Sequence, residues 1–197
     1  STASTESSTS STSSTADLSG KLTLNGSTSM AKVCQALGEA FSAKYPGVTV
    51  EKSGNGSGNA PKAVDAGTAL IGDLSRNLKD EENPDNYEVV QIAIDGIAIA
   101  VNKDNPVDDL TSEQIVVIGR EAASGTRDGF ESIFKAKDCK YAAELTSTGE
   151  VVTKVGSDKA AIGYVSLDSV NDTIKAVKVD GVEANEENIK NETYKAQ

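Results

Sequence analysis

Three short apolar runs in the first half of the chain end in turns of small residues, and a fourth run further on does the same. The turns lie at 25–29, 53–59, 73–77 and 121–126. Helical patterns between the runs make this a strand–turn–helix repetition, which predicts an α/β fold with parallel strands. Ligands of such sheets bind beyond the carboxyl ends of the strands, so we expect the four turns to converge. Ser and Gly are also ordinary turn residues, which leaves a simpler explanation open for any single turn.

The spacing of apolar residues predicts the individual elements. Strands are expected at 21–24, 48–50, 70–72 and 115–119, and others begin at Ala161 and Lys175. After the first turn, apolar residues recur at helical offsets of 3, 4, 7 and 11, namely Met30, Val33, Cys34, Leu37 and Phe41. Further helices are expected through Ala63 and Val64 and over 148–159.

The stretch REAASGTRDGF at 120–130 links a strand to a helix and indicates an anion site. The first helical turn offers Ser124, Gly125, Thr126 and Arg127. Backbone N–H groups are free at a helix start, and the positive end of the helix dipole lies there too. The signal is weak alone, and it gains weight only if the other turns lie beside it.

The composition excludes several classes of function. The chain has 197 residues with no His and two Cys, which rules out a His-based triad, a His-ligated metal and a Cys-rich zinc site. A net charge of −11 argues against nucleic acid, which selects basic surfaces. A small anion remains compatible, because surface charges are screened over about 8 Å at physiological salt. No cofactor and no metal are expected.

The longest apolar stretch, EVVQIAIDGIAIAVN at 88–102, is interrupted by Asp95-Gly96 and does not suit a membrane span. It predicts a strand that leaves one domain and enters another. Asp95 would be partly buried near that crossing and would need a partner. A hairpin turn at Asp-Gly is the alternative.

Six stretches together resemble the substrate-binding proteins of bacterial phosphate ABC transporters, in the branch from Gram-positive bacteria. They are LNGSTSM (24–30), KYPGVTVEKSGNGSG (44–58), AGTALIGDLSRNLKDEE (66–82), IAIDGIAIAVNKDNP (92–106), IVVIGREAASGTRDGFE (115–131) and KAAIGYVSLDSVNDTIKAVKVDGVEANEENIKN (159–191). The most specific is GREAASGTRDGF. The resemblance implies a two-domain α/β fold of the periplasmic-binding-protein type (type II), with mixed sheets flanked by helices and the ligand in the interdomain cleft.

The expected organisation has four parts. Residues 1–17 form a disordered Ser/Thr-rich tether, 18–95 the first α/β domain, 96–170 the second, and 171–197 a segment returning toward the first. Relatives carry a helix, a turn and a loop where DDLTSEQ (108–114) here meets IVVIG directly, although Thr111 and Gln114 form a capping-box pattern. The second domain is therefore expected to be incomplete near 114–115, and the return segment to be truncated.

Carried over residue by residue, the resemblance implies the ligand groups. Donors are expected at Thr28, Ser29, Ser57, Ser75, Ser124, Gly125 and Thr126, with Arg120 as the cationic contact and Arg76 beside Ser75. The better-known enterobacterial branch has an aspartate where this chain has Arg76, so Asp95 is the candidate acceptor. Arg127 is expected to pair with a neighbouring carboxylate instead.

The implied function is capture of inorganic phosphate outside the cytoplasmic membrane and its delivery to ABC permease subunits, without catalysis. The protein would be a monomer and a cell-surface lipoprotein, touching the membrane only through an N-terminal lipid anchor. Cys34 and Cys139 are expected to be separate thiols, since they fall in different domains. The alternatives are a binder of another tetrahedral oxyanion such as sulfate, a surface protein that has lost binding, and an enzyme, although Ser124 has no histidine to activate it.

Overall fold

The computed structural model describes residues 18–110, 118–137 and 139–194, which form two main sheets. The predicted tether at 1–17 and the capping-box residues at 111–114 lie outside the described residues. The predicted division into domains stays a prediction.

The first sheet has three parallel strands in the order β2-β1-β3. They are β1 (Ser19–Gly26), β2 (Gly47–Gly54) and β3 (Ile71–Asp73). Helix α1 (Ala31–Lys44) connects β1 to β2, and helix α2 (Ala60–Asp65) lies between β2 and β3. The predicted strand–turn–helix order is confirmed in this half of the chain.

The second sheet has five strands in the order β7-β6-β8-β4-β9, while β5 pairs with β10 separately. These strands are β4 (Ile97–Asn102), β5 (Asp109–Leu110), β6 (Ile118–Arg120), β7 (Ala143–Leu145), β8 (Ile162–Ser166), β9 (Ile174–Ala176) and β10 (Lys178–Val179). Strand β4 is antiparallel to β8 and β9, whereas β6 is parallel to β7 and β8. The helices are α3 (Gly125–Ile133), α4 (Thr148–Ser157) and α5 (Glu186–Lys190). The predicted mixed α/β architecture is confirmed.

The core lies around the second sheet. The ring of Phe130 in α3 stacks on that of Tyr164 in β8, with centroids 4.2 Å apart, and both are buried with Ile99. On another side of the sheet, Val151 and Val155 of α4 belong to a second buried cluster. This packing fixes α3 and α4, whose first turns form part of the site.

The prediction of one continuous strand over 88–102 is wrong for its first part. Regular strand begins only at Ile97, and residues 88–96 have no regular secondary structure. Large apolar side chains in this part are exposed, namely Val89, Val90, Ile92 and Ile94. Apolar and β-branched residues favour a strand only where a neighbouring strand accepts their hydrogen bonds. Sequence patterning could not show whether such a neighbour exists.

Two smaller expectations concern the cysteines and the membrane. Cys34 is buried in α1 and Cys139 is partly exposed, and both are free thiols, as predicted. Within the described part of the chain, no helix combines the length and apolarity that a membrane crossing requires.

Candidate anion site

Each of the four predicted turns contributes a hydroxyl group that lies within hydrogen-bond distance of a hydroxyl from another of these turns. Ser27 Oγ donates to Ser75 Oγ at 3.0 Å, and Ser57 Oγ lies 3.3 Å from the same atom. Ser29 Oγ and Thr126 Oγ1 are 2.9 Å apart, which joins the first sheet to the start of α3. The predicted convergence of the turns is confirmed by these distances.

The first turn is held in place by a close approach between β1 and β3. Gly26 has φ +154°, and a Cβ atom there would lie 1.9 Å from the Asp73 carbonyl oxygen, so only glycine fits. The next residue, Ser27, donates its N–H to that same oxygen at 2.9 Å. Its own Oγ accepts from the Ser29 N–H at 3.2 Å. Ser29 is thereby presented toward α3 just before α1 begins.

Arg120, at the end of β6, is 2% exposed and reaches from the second sheet to the first. Its Nη1 donates to Thr148 Oγ1 at 2.9 Å, and its Nη2 donates to Thr28 Oγ1 at 3.1 Å. Its Nε and Nη2 also donate to the two Glu121 carboxylate oxygens at 3.0 Å each. The neighbouring carboxylate holds one edge of the guanidinium, and the other edge faces the hydroxyl cluster.

The start of α3 has a regular N-terminal cap. Ser124 is the capping residue, and its Oγ accepts from the Arg127 N–H at 3.3 Å. Gly125 and Thr126 follow as buried first-turn residues, whose N–H groups have no acceptor within the helix. These groups add unpaired donors and a positive dipole end to the cluster.

Two residues of the cluster were not predicted, Thr148 and Ser27. Thr148 is the first residue of α4, and its Oγ1 lies 3.2 Å from both Thr28 Oγ1 and Ser29 Oγ. The signal existed in ELTSTGE at 144–150, where a short strand, a Ser/Thr turn and a helix follow one another as they do elsewhere. Ser27 lies in a predicted turn, next to a residue that was named.

Arg76 is placed away from the hydroxyls, in an ion-pair cluster. Its Nη1 and Nη2 bind the Glu82 carboxylate at 2.7 and 2.8 Å, and its Nε lies 2.8 Å from Asp128 Oδ2. The hydrogen bonds to Glu82 raise the pKa of Arg76 further above its ordinary value. The structure therefore gives Arg76 carboxylate partners, and contact between Arg76 and an anion stays a prediction.

Asp95 has its hydrogen-bond partner on the second sheet. Its carboxylate accepts a hydrogen bond from Ser166 Oγ, at the end of β8. The residue as a whole is exposed, yet burial of the carboxyl group raises its pKa, and the nearby Asp168 charge adds to that rise. Contact between Asp95 and an anion stays a prediction.

Arg127 pairs with carboxylates, as the sequence suggested. Its Nε lies 2.7 Å from Glu131 Oε1, and its guanidinium stacks over the Tyr141 ring at 4.9 Å. Its Nη1 also donates to the Arg120 carbonyl oxygen at 2.8 Å. Arg127 thus supports the backbone of the cationic residue without facing the hydroxyl cluster.

The chemistry of this cluster suits binding of an oxyanion. Hydroxyls, free helical N–H groups and one guanidinium are donors to acceptor-only oxygen atoms. Over the described ranges there is no group of three or more His, Cys, Asp or Glu residues that could hold a metal. Two sheets that contribute donors to one shared site define an α/β ligand-binding protein for small anions.

Comparison with known proteins shows the family to which the chain belongs. The PBP superfamily domain matches residues 7–196, so the chain belongs to the PBP superfamily. A phosphate ABC transporter substrate-binding protein of Clostridium perfringens, solved with bound phosphate, is similar with a TM-score of 0.84 and 38% identity, over 90% of this chain and 83% of that one. An ABC-type phosphate transport receptor of Vibrio cholerae has a TM-score of 0.69 and 30% identity over the same shares. The phosphate-binding protein PstS of Pseudomonas aeruginosa is 29% identical over 225 residues, covering 90% of this chain and 70% of its own length.

Proposed function

We propose that this protein binds inorganic phosphate and serves as the substrate-binding component of an ABC transporter. The observation that carries the proposal is the set of hydroxyls, from turns beside both sheets, gathered at the edge of Arg120 that faces away from Glu121. The similar proteins are named as phosphate-binding and phosphate-transport proteins, which supports phosphate as the anion.

The proposed ligand donors come from two sides of the site, one at each main sheet. They are Ser27, Thr28, Ser29, Ser57 and Ser75 on the first side, and Arg120, Ser124, Gly125, Thr126 and Thr148 on the second. Arg76 is left out because Glu82 and Asp128 occupy its guanidinium. An anion that accepts from both sides would hold them together, because its binding energy is realised only when both are near.

The hydroxyl network suggests how binding proceeds. Ser29 and Thr126 satisfy each other at 2.9 Å, and either can be the donor, since hydroxyl protons rotate. A phosphate oxygen accepts from both, so each hydroxyl exchanges a neutral partner for a charged one. Hydrogen bonds to charged groups contribute about 1.5–3 kcal/mol, against about 1 kcal/mol for neutral ones. That difference favours capture.

The cellular setting is part of the same proposal. We infer that the protein acts outside the cytoplasmic membrane, as a monomer, and hands phosphate to permease subunits. The Ser/Thr-rich residues 1–17 suit a tether to a lipid anchor. Support comes from the similarity to transport receptors and not from the geometry of the site.

Phosphate is expected to bind with one-to-one stoichiometry and without turnover. The described cluster offers donors, while the sequence contains no histidine that could activate a serine. Titration calorimetry with phosphate, sulfate and arsenate tests binding, and incubation with phosphate esters tests turnover. A folded protein that gives no heat with phosphate would refute the proposal, and preferred binding of sulfate would establish the alternative oxyanion.

Asp95→Asn is expected to reduce the preference for phosphate over sulfate more than it reduces phosphate affinity. An ionised carboxylate accepts from the P–OH of hydrogen phosphate but repels fully ionised sulfate, whereas an amide can also donate. The measurement is competition of sulfate against labelled phosphate in both proteins. Asp168→Asn is the matched control, because it removes a nearby charge that acts on Asp95 but leaves the Asp95 carboxylate in place. That variant should keep the preference for phosphate. Equal exclusion of sulfate by wild type and Asp95→Asn would leave Asp95 as a structural partner of Ser166.

A further inference from the structure

A mostly buried lysine lies beneath the hydroxyl cluster, at the carboxyl end of the first sheet. Lys52 in β2 has a side chain that is 17% exposed. Its Nζ donates to the Ser27 carbonyl at 3.2 Å, to the Ser53 carbonyl at 3.1 Å and to Asp73 Oδ1 at 2.8 Å. An ammonium group has three protons, so these acceptors use its full donor capacity.

The acceptors belong to the ends of all three strands of that sheet. Ser27 follows β1, Ser53 lies in the last part of β2, and Asp73 is the last residue of β3. The chain leads from each of these points into a turn that supplies hydroxyls to the proposed site. One ammonium group therefore connects the bases of three turns that are far apart in sequence.

The contact to β3 is reinforced by the backbone. The Asp73 carbonyl accepts from the Ser27 N–H at 2.9 Å, while its carboxylate, 6% exposed, pairs with Lys52. Burial raises the pKa of the Asp73 carboxyl, and the Lys52 ammonium opposes that rise. Burial raises the pKa of the Cys34 thiol in α1, the Asp73 charge adds to that rise, and the Lys52 charge opposes it.

A second ion pair between the same strands shows what is special about Lys52. Lys21 of β1 and Glu51 of β2 are 2.6 Å apart, but their side chains are 55% and 54% exposed. Exposed pairs contribute little, because water competes for both charges. The buried pair would be costly to form without its additional hydrogen bonds, and those bonds go to the turn bases.

We propose that Lys52 is a positioning residue for the anion site, holding the three first-sheet turns at the spacing that the ligand requires. The effect on phosphate binding rests on the proposed function, whereas the hydrogen bonds of Lys52 to the three turn bases do not depend on it. The hydrogen bonds of the Lys52 ammonium go to carbonyl and carboxylate oxygens and not to the hydroxyls, so its effect passes through Ser27, Ser53 and Asp73.

The test variant is Lys52→Met/Asp73→Asn, which removes both charges together and leaves no uncompensated buried carboxylate. Lys21→Met is the matched control, a lysine lost from the exposed pair between the same strands. Lys52→Gln, which keeps two donors, replaces the double variant if that does not fold. Each protein is first shown to be folded by circular dichroism.

The first readout needs no ligand. Hydrogen exchange at the amides of Ser27, Ser29 and Ser75 is expected to accelerate by about tenfold or more in the test variant. The Ser124 amide, which donates to the Glu121 carbonyl in the second half of the chain, should keep its rate, as should all four amides in Lys21→Met. Uniform acceleration across both halves, or none, would overturn the proposal and leave Lys52 with a role in stability alone.

The second readout is a pair of double-mutant cycles on phosphate affinity. If Lys52 acts through the first-sheet turns, its effect on affinity should depend on Ser57. The loss of affinity in the variant that combines the Lys52 change with Ser57→Ala should then be smaller than the product of the two single-variant losses, by about threefold or more. Combined with Ser124→Ala, the losses should multiply. Multiplication in both cycles would contradict the proposal. A wild type that binds no phosphate would refute the proposed function, and the exchange result would then decide on Lys52 alone.

Discussion

Arg120→Ala is expected to weaken phosphate binding by at least about 100-fold, because two charge-assisted contacts of about 1.5 kcal/mol or more are lost together. The Nη1 and Nη2 atoms of Arg120 now face Thr148 and Thr28, where a phosphate oxygen would be received. The substitution also removes the two hydrogen bonds that Arg120 donates to the Glu121 carboxylate, and it leaves that negative charge uncompensated beside the site. Both effects act in the same direction.

Arg127→Ala is the comparison, since it removes a second arginine from the same segment. Its guanidinium holds Glu131 and the Arg120 carbonyl, so only an indirect loss of affinity is expected, about tenfold or less. Calorimetry at fixed ionic strength measures both variants, with circular dichroism as the test of folding. Equal losses would mean that Arg120 is not the direct cationic contact.

The position of the site could be predicted from sequence because topology decides it. Small-residue turns after the parallel strands of one sheet lie at one edge of it, so convergence of the three first-sheet turns required no knowledge of packing. The turn at 121–126 follows β6 of the other sheet, and packing between the two sheets brings it to the same place. The same reasoning could have included Thr148, since α4 also begins after a short strand. The apolar spacing that predicts a helix over 148–159 gives no information about the groups that its first turn presents.

The partner of each charged side chain could not be predicted in this way. Arg76 follows Ser75 in a turn of the site, but its Nη1 and Nη2 donate to Glu82, and the Asp128 carboxylate lies 2.8 Å from its Nε. Asp128 is remote in sequence, and only the packing of α3 brings it there. A guanidinium accepts whichever carboxylates the fold presents, so its neighbours in sequence say little about its role.

The partners of the Lys52 ammonium in the first sheet could not be predicted from the sequence either. In VTVEKSG, Lys52 follows Val48 and Val50 at intervals of two residues, so the alternation places it on their face of the strand but names no partner for its charge. Its burial depends on Asp73, which comes from β3, and on the Ser27 turn after β1. Such a contact requires the register of three strands at once, which no local pattern contains.

Gly125→Ala is expected to weaken phosphate binding by about 5- to 150-fold, the equivalent of an overpacking cost of about 1–3 kcal/mol. A Cβ atom at Gly125 would lie 2.5 Å from both Ser57 Oγ and Ser75 Oγ, and 3.2 Å from Ser57 Cβ. Hydroxyls can rotate away, but doing so removes them from the site, and the Ser57 Cβ cannot rotate. Helix α3 itself should not suffer, since Ala favours helix over Gly by about 1 kcal/mol.

The matched control is Gly149→Ala, in the first turn of α4 beside Thr148. A Cβ atom there meets nothing within 4 Å, so affinity should be unchanged. The distinguishing result is a Gly125→Ala protein that is folded and at least as stable as wild type but binds phosphate poorly, measured by calorimetry and thermal unfolding. Full affinity in that variant would show that Ser57 and Ser75 can separate from α3 without cost. Those two serines and the start of α3 would then not bind the same anion.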